Sequence, residues 1–369
     1  MGDNNSLLDF LNNEYSNLLK HGIPLEIKDE AETKSFSELI KDENLCLDFV
    51  YKIYEFSDTK SQLNKHRASH IIVNWLMGIG LDRVLKLPNH SGLQSLFFSQ
   101  LWLQTSIIHD YGYFCKEIRE KNVLLKKITD KYDLLIDYYD VDFLKCLNNF
   151  SDSEEMKNCL TYKYDLIRNY FEYSKEYHKD DYNETCDHGI VGGCLAFKRY
   201  CENIKKAKNA GIEPSDVITK IQKMACIVAA SHNIYKSADK SQDEIYIENK
   251  LCDILSTSEI KITRSNKLLL ILSLVDTIEC TKRFSAKKDP KNYLIQTTTL
   301  KYVDIFIENN VIKLDYSRLY EYITKTRKSD EMKENLDKHI KGIKNLPNWT
   351  EFEIENVENN NHAVCIRCR

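Results

Sequence analysis

Proline and glycine are scarce, with 5 and 11 residues in a chain of 369. A β-sandwich needs a turn every roughly 8–12 residues and draws on both for them. The shortage argues against that architecture, and the long Lys, Glu, Asn and Leu stretches favour helix. An excess of positive charge is also missing, because 52 Lys and Arg face 56 Asp and Glu, for a net charge of −4 and a pI near 6.2. No global pull toward nucleic acid or anionic lipid follows from that balance. The longest apolar run, Leu268 to Val275, is far short of the ~20 residues that cross a bilayer. The opening MGDNNSLLDF has neither a basic stretch nor an apolar stretch of the secretory kind. Twelve cysteines follow no regular framework, and Cys146, Cys194, Cys226 and Cys280 sit inside apolar or helical runs. That usage suits a reducing compartment, so a cytoplasmic protein with no membrane partner is expected. The Gly-rich phosphate loop, the G-x-S-x-G nucleophile elbow and the G-x-G-x-x-G dinucleotide fingerprint are all absent.

What remains reads as three parts. Residues 1–60 carry short amphipathic helices, with Leu7, Leu8, Phe10 and Leu11 and then Leu39, Ile40, Leu45 and Leu47, broken near Gly22-Ile23-Pro24. Residues 61–287 hold every candidate for chemistry, with a Lys-, Asp- and Tyr-rich helical insertion at about 116–183 that reads as a lid or as plain scaffold. Residues 288–369 form a small α+β unit. Here YVDIFIENNVIKLDYSRL alternates around Glu308-Asn309-Asn310, helices are expected at about 315–326 and 330–344, and TEFEIENVENNNHAVCIRC forms a second alternating pair. No repeat of fixed period is visible.

Ionisable residues sit at the ends of the most apolar runs. IIVNWLMGIGL follows His70, SII precedes His109-Asp110, ACIVAAS precedes His232, and LLLILSLV precedes Asp276. An ionisable group carried into a core costs several kcal/mol, roughly, unless it is paired or bound to metal. One convergent metal site is the economical explanation. His66 and His70, four apart, project from one helix face. Adjacent helical residues diverge by about 100°, so His109 and Asp110 reach one ion only near a helix end, where Gly112 frees the backbone. His188 opens a small-residue segment, CDHGIVGGCLAF, with Asp187 as a candidate N-cap. Lys236, one turn beyond His232, either reaches a phosphate oxygen or stands solvated. Glu279 and Arg283 continue the Asp276 face at i+3 and i+7, as partners of that ligand or as a plain helix ion pair. Lys282-Arg283 and Lys287-Lys288 read as a solvated helix end. The terminal His362, Cys365 and Cys368 look like a zinc fragment, but with three ligands in view and no second C-x-x-C they read as strand residues.

The order H…HD…H…H…D over residues 66 to about 284 resembles the HD superfamily of metal-dependent phosphohydrolases. The resemblance implies a mainly α fold, an HD-type helical bundle to which the small C-terminal α+β unit is attached. It implies two divalent ions, with Mn, Fe, Mg, Co, Ni and Zn not distinguished by imidazole and carboxylate ligands. His70, His109 and Asp276 would hold one ion, His188 and His232 the other, and Asp110 would bridge. The cyclic-nucleotide phosphodiesterases, similar in this region, would make His66 the proton donor to the leaving group. An alignment to the deoxynucleoside triphosphohydrolases instead sets Arg67 against phosphate, and both alignments make His70 a ligand. Tyr113 stands where the family often has a Lys, which removes a lysine from the attack on phosphorus. The implied activity is hydrolysis of a nucleotide or cyclic nucleotide phosphodiester by a metal-activated hydroxide. The alternatives are a deoxynucleoside triphosphohydrolase, a single-strand nuclease of the CRISPR-associated kind, and a non-catalytic nucleotide-sensing module. The expected partner is a nucleotide or other phosphodiester small molecule, with single-stranded nucleic acid and a homo-oligomer left open.

Overall fold

The computed structural model describes residues 5–21, 35–42, 44–46, 48, 50, 65–85, 98–110, 188–215, 222, 225–226, 228–229, 232, 267–285, 294–326, 328–348, 350–357 and 360–368. The expected insertion at 116–183 and Lys236 lie outside the described residues, as do the side chains of His66 and His188. Along the chain run β1 (Asn5–Ser6), α1 (Leu7–His21), α2 (Phe36–Lys41), α3 (Lys65–Leu85), α4 (Phe98–Ile108), α5 (His188–Asn209), α6 (Lys267–Ile278), α7 (Thr281–Ser285) and α8 (Gln296–Lys301). The chain continues through β2 (Asp304–Glu308), β3 (Val311–Asp315), α9 (Ser317–Lys325), α10 (Asp330–Lys344), a 3-10 turn at Leu346–Asn348, β4 (Phe352–Asn356) and β5 (Ala363–Cys368). Helix dominates the described residues and one small antiparallel sheet accompanies it, as the scarcity of turn residues predicts. The chain divides into two compact units, one of residues Met1–Asn89 with Thr263–Arg369, the other of His90–Ile262.

The first unit is built on two helices, α3 buried through its middle and α6 buried along its whole length. Every residue of α3 from Ala68 to Met77 is buried, and so is every residue of α6. A helix apolar on all sides belongs at the centre of a core rather than on its surface. The polar groups these helices carry inward are answered locally. Lys267 lies 2.5 Å from Asp82, and Gln296 donates to Ser69 Oγ over 3.0 Å. Helix α1 packs on α3, where Arg83 pairs with Glu14. Ser35 and Glu38 close a capping box at the start of α2.

The sheet of this unit has the order β1-β2-β3-β5-β4, with every neighbouring pair antiparallel. Asn309 and Asn310 take φ of 50° and 63° in the β2–β3 turn. Two left-handed residues make the primed turn whose twist matches the flanking strands, and Asn tolerates that conformation. Asn5 and Ser6 pair with Ile305 and Asp304, so the beginning of the chain supplies an edge strand to the C-terminal sheet. Ile305, Ile312, Leu314, Phe352, Ala363, Val364 and Ile366 are among its buried residues. Helix α10 packs on β5, α6 and α7 and buries Met332, Leu336, His339, Ile340 and Ile343.

In the second unit, α4 packs on α5 and buries Trp102, Leu103, Ile107 and Ile108. Ala225, Cys226, Val228 and Ala229 are helical and buried, as ACIVAAS implies. Helix α5 ends in a Schellman motif: Ile212 N–H donates to Ala207 C=O and Gly211 N–H to Lys208 C=O, with Gly211 at φ 75°. Among the described residues no helix is long and apolar enough to cross a membrane.

Candidate metal centre

His70 lies in the fully buried stretch of α3, and its two ring nitrogens do different work. Nδ1 is 2.6 Å from Glu279 Oε2. Nε2 faces Asp276 Oδ1 at 3.3 Å, Asn74 Nδ2 at 3.0 Å and Lys282 Nζ at 3.4 Å. An ammonium only donates, so Nε2 is the accepting nitrogen and Glu279 takes the Nδ1 proton. Glu279 Oε1 also accepts from the Thr281 N–H at 2.6 Å, just past the end of α6. Burial pushes the Glu279 carboxyl up, but the His70 imidazole, the Thr281 N–H and Lys282 together outweigh it and hold the pKa at about 2. A carboxylate on the far ring nitrogen is the arrangement that orients an imidazole for a metal ion and raises its basicity.

The second unit repeats this selection with backbone in place of a carboxylate. His109 and Asp110 occupy a turn directly after α4. The His109 ring turns back so that Nδ1 donates to Ser106 C=O over 2.7 Å, while Nε2 lies 3.6 Å from Asp110 Oδ1. His232 does the same at the end of its apolar helix, Nδ1 donating to Ala229 C=O over 2.6 Å. The last carbonyls of a helix have no intrahelical donor, so a histidine just beyond the end can supply one. Because a carbonyl only accepts, both rings carry a proton on Nδ1. The two rings meet edge to face with centroids 5.1 Å apart. Helix α5, which begins at His188, presses on this pair: a Cβ on Gly189 would lie 2.6 Å from His232 Nδ1. Only glycine permits that approach.

These donor sets fit a divalent ion. His70, His109 and Asp110 are all buried and each offers a ligating atom, and His232 and Asp276 are buried as well. Arg67 is half-buried at the start of α3.

One reading of the sequence changes, and two partners it did not name come into view. Lys282 and Arg283 are not a solvated helix end. Lys282 Nζ sits 2.6 Å from Asp276 Oδ1, and Arg283 Nε donates to His339 Nδ1 over 3.0 Å. His339, which the sequence did not single out, then reaches Tyr316 Oη at 3.1 Å, and that hydroxyl donates to Ile278 C=O at 3.3 Å. This chain of bonds ties α10 and the sheet to the residues between Asp276 and Lys282. Asn74 was also missed, although its place four residues after His70 puts it on the same helix face. The terminal cysteines are strand residues as expected. Cys365 is half-buried on β5 between Lys313 and Glu355, and His362 stacks on Tyr320 with centroids 4.1 Å apart.

No family model, curated protein or solved structure matches the chain.

Proposed function

We propose that the protein is a metal-dependent phosphohydrolase of the HD type that cleaves a nucleotide or cyclic nucleotide phosphodiester. The observation that carries this reading is the shared state of three buried histidines. His70, His109 and His232 are all buried and each spends Nδ1 on an oxygen, which leaves Nε2 as the nitrogen to offer a metal. A core histidine with only a packing role has no need of one tautomer three times over, and metal ligation does. His70, His109 and Asp276 are assigned to one ion, His188 and His232 to a second, with Asp110 shared between them. Bound divalent ions supply an acidified water and neutralise charge on the phosphoryl oxygens. The protein's own contribution is to hold the ligands: Glu279 orients His70, and the carbonyls of Ser106 and Ala229 orient the other two rings. His66 is the proton donor to the leaving alkoxide, a role that matters most for a diester because its leaving group is poor. Arg67 and Lys236 are the candidates for phosphate contact.

The test is hydrolysis by the Mn²⁺-supplemented protein of a panel of dNTPs, cyclic mono- and oligonucleotides and single-stranded DNA, read by product chromatography. Asp110→Ala is expected to lose both turnover and metal, and His66→Ala to lose turnover while keeping metal. Loss of metal from the His66 variant reverses the assignment of the His66/His70 pair. Metal retained by the wild type without turnover on any substrate sinks the enzymatic reading in favour of a nucleotide-binding module.

A further inference from the structure

We infer that Lys282 is the resident cation of the His70–Asp276 pair and that a metal ion enters only by displacing it. The inference rests on the assignment of His70 and Asp276 as ligands. His70 Nε2 and Asp276 Oδ1 are two acceptors 3.3 Å apart, with both side chains buried. Two acceptors so close need a positive group between or beside them, and Lys282 provides it. Its Nζ lies 2.6 Å from the carboxylate oxygen and 3.4 Å from the imidazole nitrogen. It therefore addresses the two atoms that would bind metal.

Geometry makes the competition unavoidable. An ion held by both atoms at roughly 2.0–2.2 Å would lie within about 4 Å of the ammonium wherever around the pair it sat. Divalent and monovalent positive charges at that range repel strongly beside side chains as buried as those of His70 and Asp276. Lys282 is the mobile member of the set. Its side chain is 25 % exposed whereas that of Asp276 is 1 % exposed, and it stands on the short helix α7 on a flexible four-carbon stem. It can swing outward while His70, Asp276 and Glu279 stay fixed. Lys282 thus prevents an uncompensated buried carboxylate and sets a threshold on metal affinity.

The measurement is Mn²⁺ binding to the full chain by isothermal titration, for wild type, Lys282→Met, Lys282→Arg and Asp276→Ala. Lys282→Met is expected to bind Mn²⁺ at least tenfold more tightly than wild type, Lys282→Arg within threefold of wild type, and Asp276→Ala at least tenfold more weakly. The Mn²⁺-induced rise in melting temperature should be larger for Lys282→Met, which has lost its compensating charge in the apo form. Lys282→Gln serves the same comparison if Lys282→Met does not fold. Unchanged or weaker binding by the neutral variants, with wild type and Asp276→Ala as expected, overturns the displacement alone. Absence of Mn²⁺ binding in every protein overturns the displacement together with the ligand assignment beneath it.

Discussion

His70 in the first unit and the pair His109 and His232 in the second reach the same protonation state by different means. His70 is held by a buried carboxylate, Glu279, inside a set that also contains Asp276, Lys282 and Asn74. His109 and His232 are held by backbone carbonyls three residues back, at the ends of their own helices. A backbone carbonyl fixes the tautomer without adding charge and cannot be lost by substitution. A carboxylate fixes it, adds charge and makes the ring more basic, but it must be compensated in turn. The first arrangement needs only a helix end and is local. The second draws on α3, α6 and α7 together.

The largest expected effect comes from removing the carboxylate. Glu279→Ala should destabilise the protein by about 3–5 kcal/mol in chemical denaturation, since it removes the carboxylate that accepts from the His70 Nδ1–H and the Thr281 N–H. Metal affinity should fall by roughly 10–100-fold, the usual cost of losing the group behind a ligating histidine. Equal metal affinity in the variant would erase the distinction between the two arrangements. The same carboxylate gives a pH dependence. Its folded pKa, about 2, lies below the ordinary 4.5. Its contribution to stability is therefore complete above pH 4.5 and is lost as pH falls toward 2. A denaturation series across that window should show an acid limb that is flatter in Glu279→Gln.

Gly189→Ala tests the second unit from the opposite direction, by crowding rather than removal. The added methyl, 2.6 Å from His232 Nδ1, should cost about 1–3 kcal/mol as overpacking. It should also weaken metal binding by turning the His232 ring, an outcome that stability measurements alone would not reveal. Tyr316→Phe breaks the route from the C-terminal sheet to the first unit's site. It leaves His339 Nε2 and Ile278 C=O without their shared hydroxyl, for an expected loss of about 1–2 kcal/mol. The smallest effect belongs to Ser106→Ala. That change removes the Ser106 Oγ bond to Leu103 C=O, 2.9 Å long, and should cost about 1 kcal/mol. The Ser106 carbonyl that holds His109 remains, so metal affinity should not move. A fall in affinity here would mean that His109 is not positioned by backbone alone.

Several of these features are legible in the chain itself. Asparagine pairs such as Asn309-Asn310 favour the turn they occupy, and alternation on either side of them marks β2 and β3. The apolar runs before His109, His232 and Asp276 announce buried helices because no surface helix is apolar on every side. Glu279 stands at i+3 from Asp276, close enough along a helix to be noticed as a partner. Asn5-Ser6 carries no such signal, since two residues show no alternation and their partner strand lies about 300 residues away. Lys282 was misread for a related reason: a Lys-Arg pair after a helix is solvated by default, and only a buried carboxylate brought near it changes that.

The sequence alone determines which apolar runs carry an ionisable group into a core and, at His109 and His232, sets a histidine just beyond the end of its helix, within reach of a last-turn carbonyl. Both follow from short-range rules, hydrophobic periodicity in the first case and an unsatisfied last-turn carbonyl in the second. Only the tertiary structure decides what faces His70. Glu279 is 209 residues away and Lys282 is 212, and their approach depends on how α3 packs against α6 and α7. Charge compensation in a core is a property of neighbours in space, and the chain lists neighbours only in order.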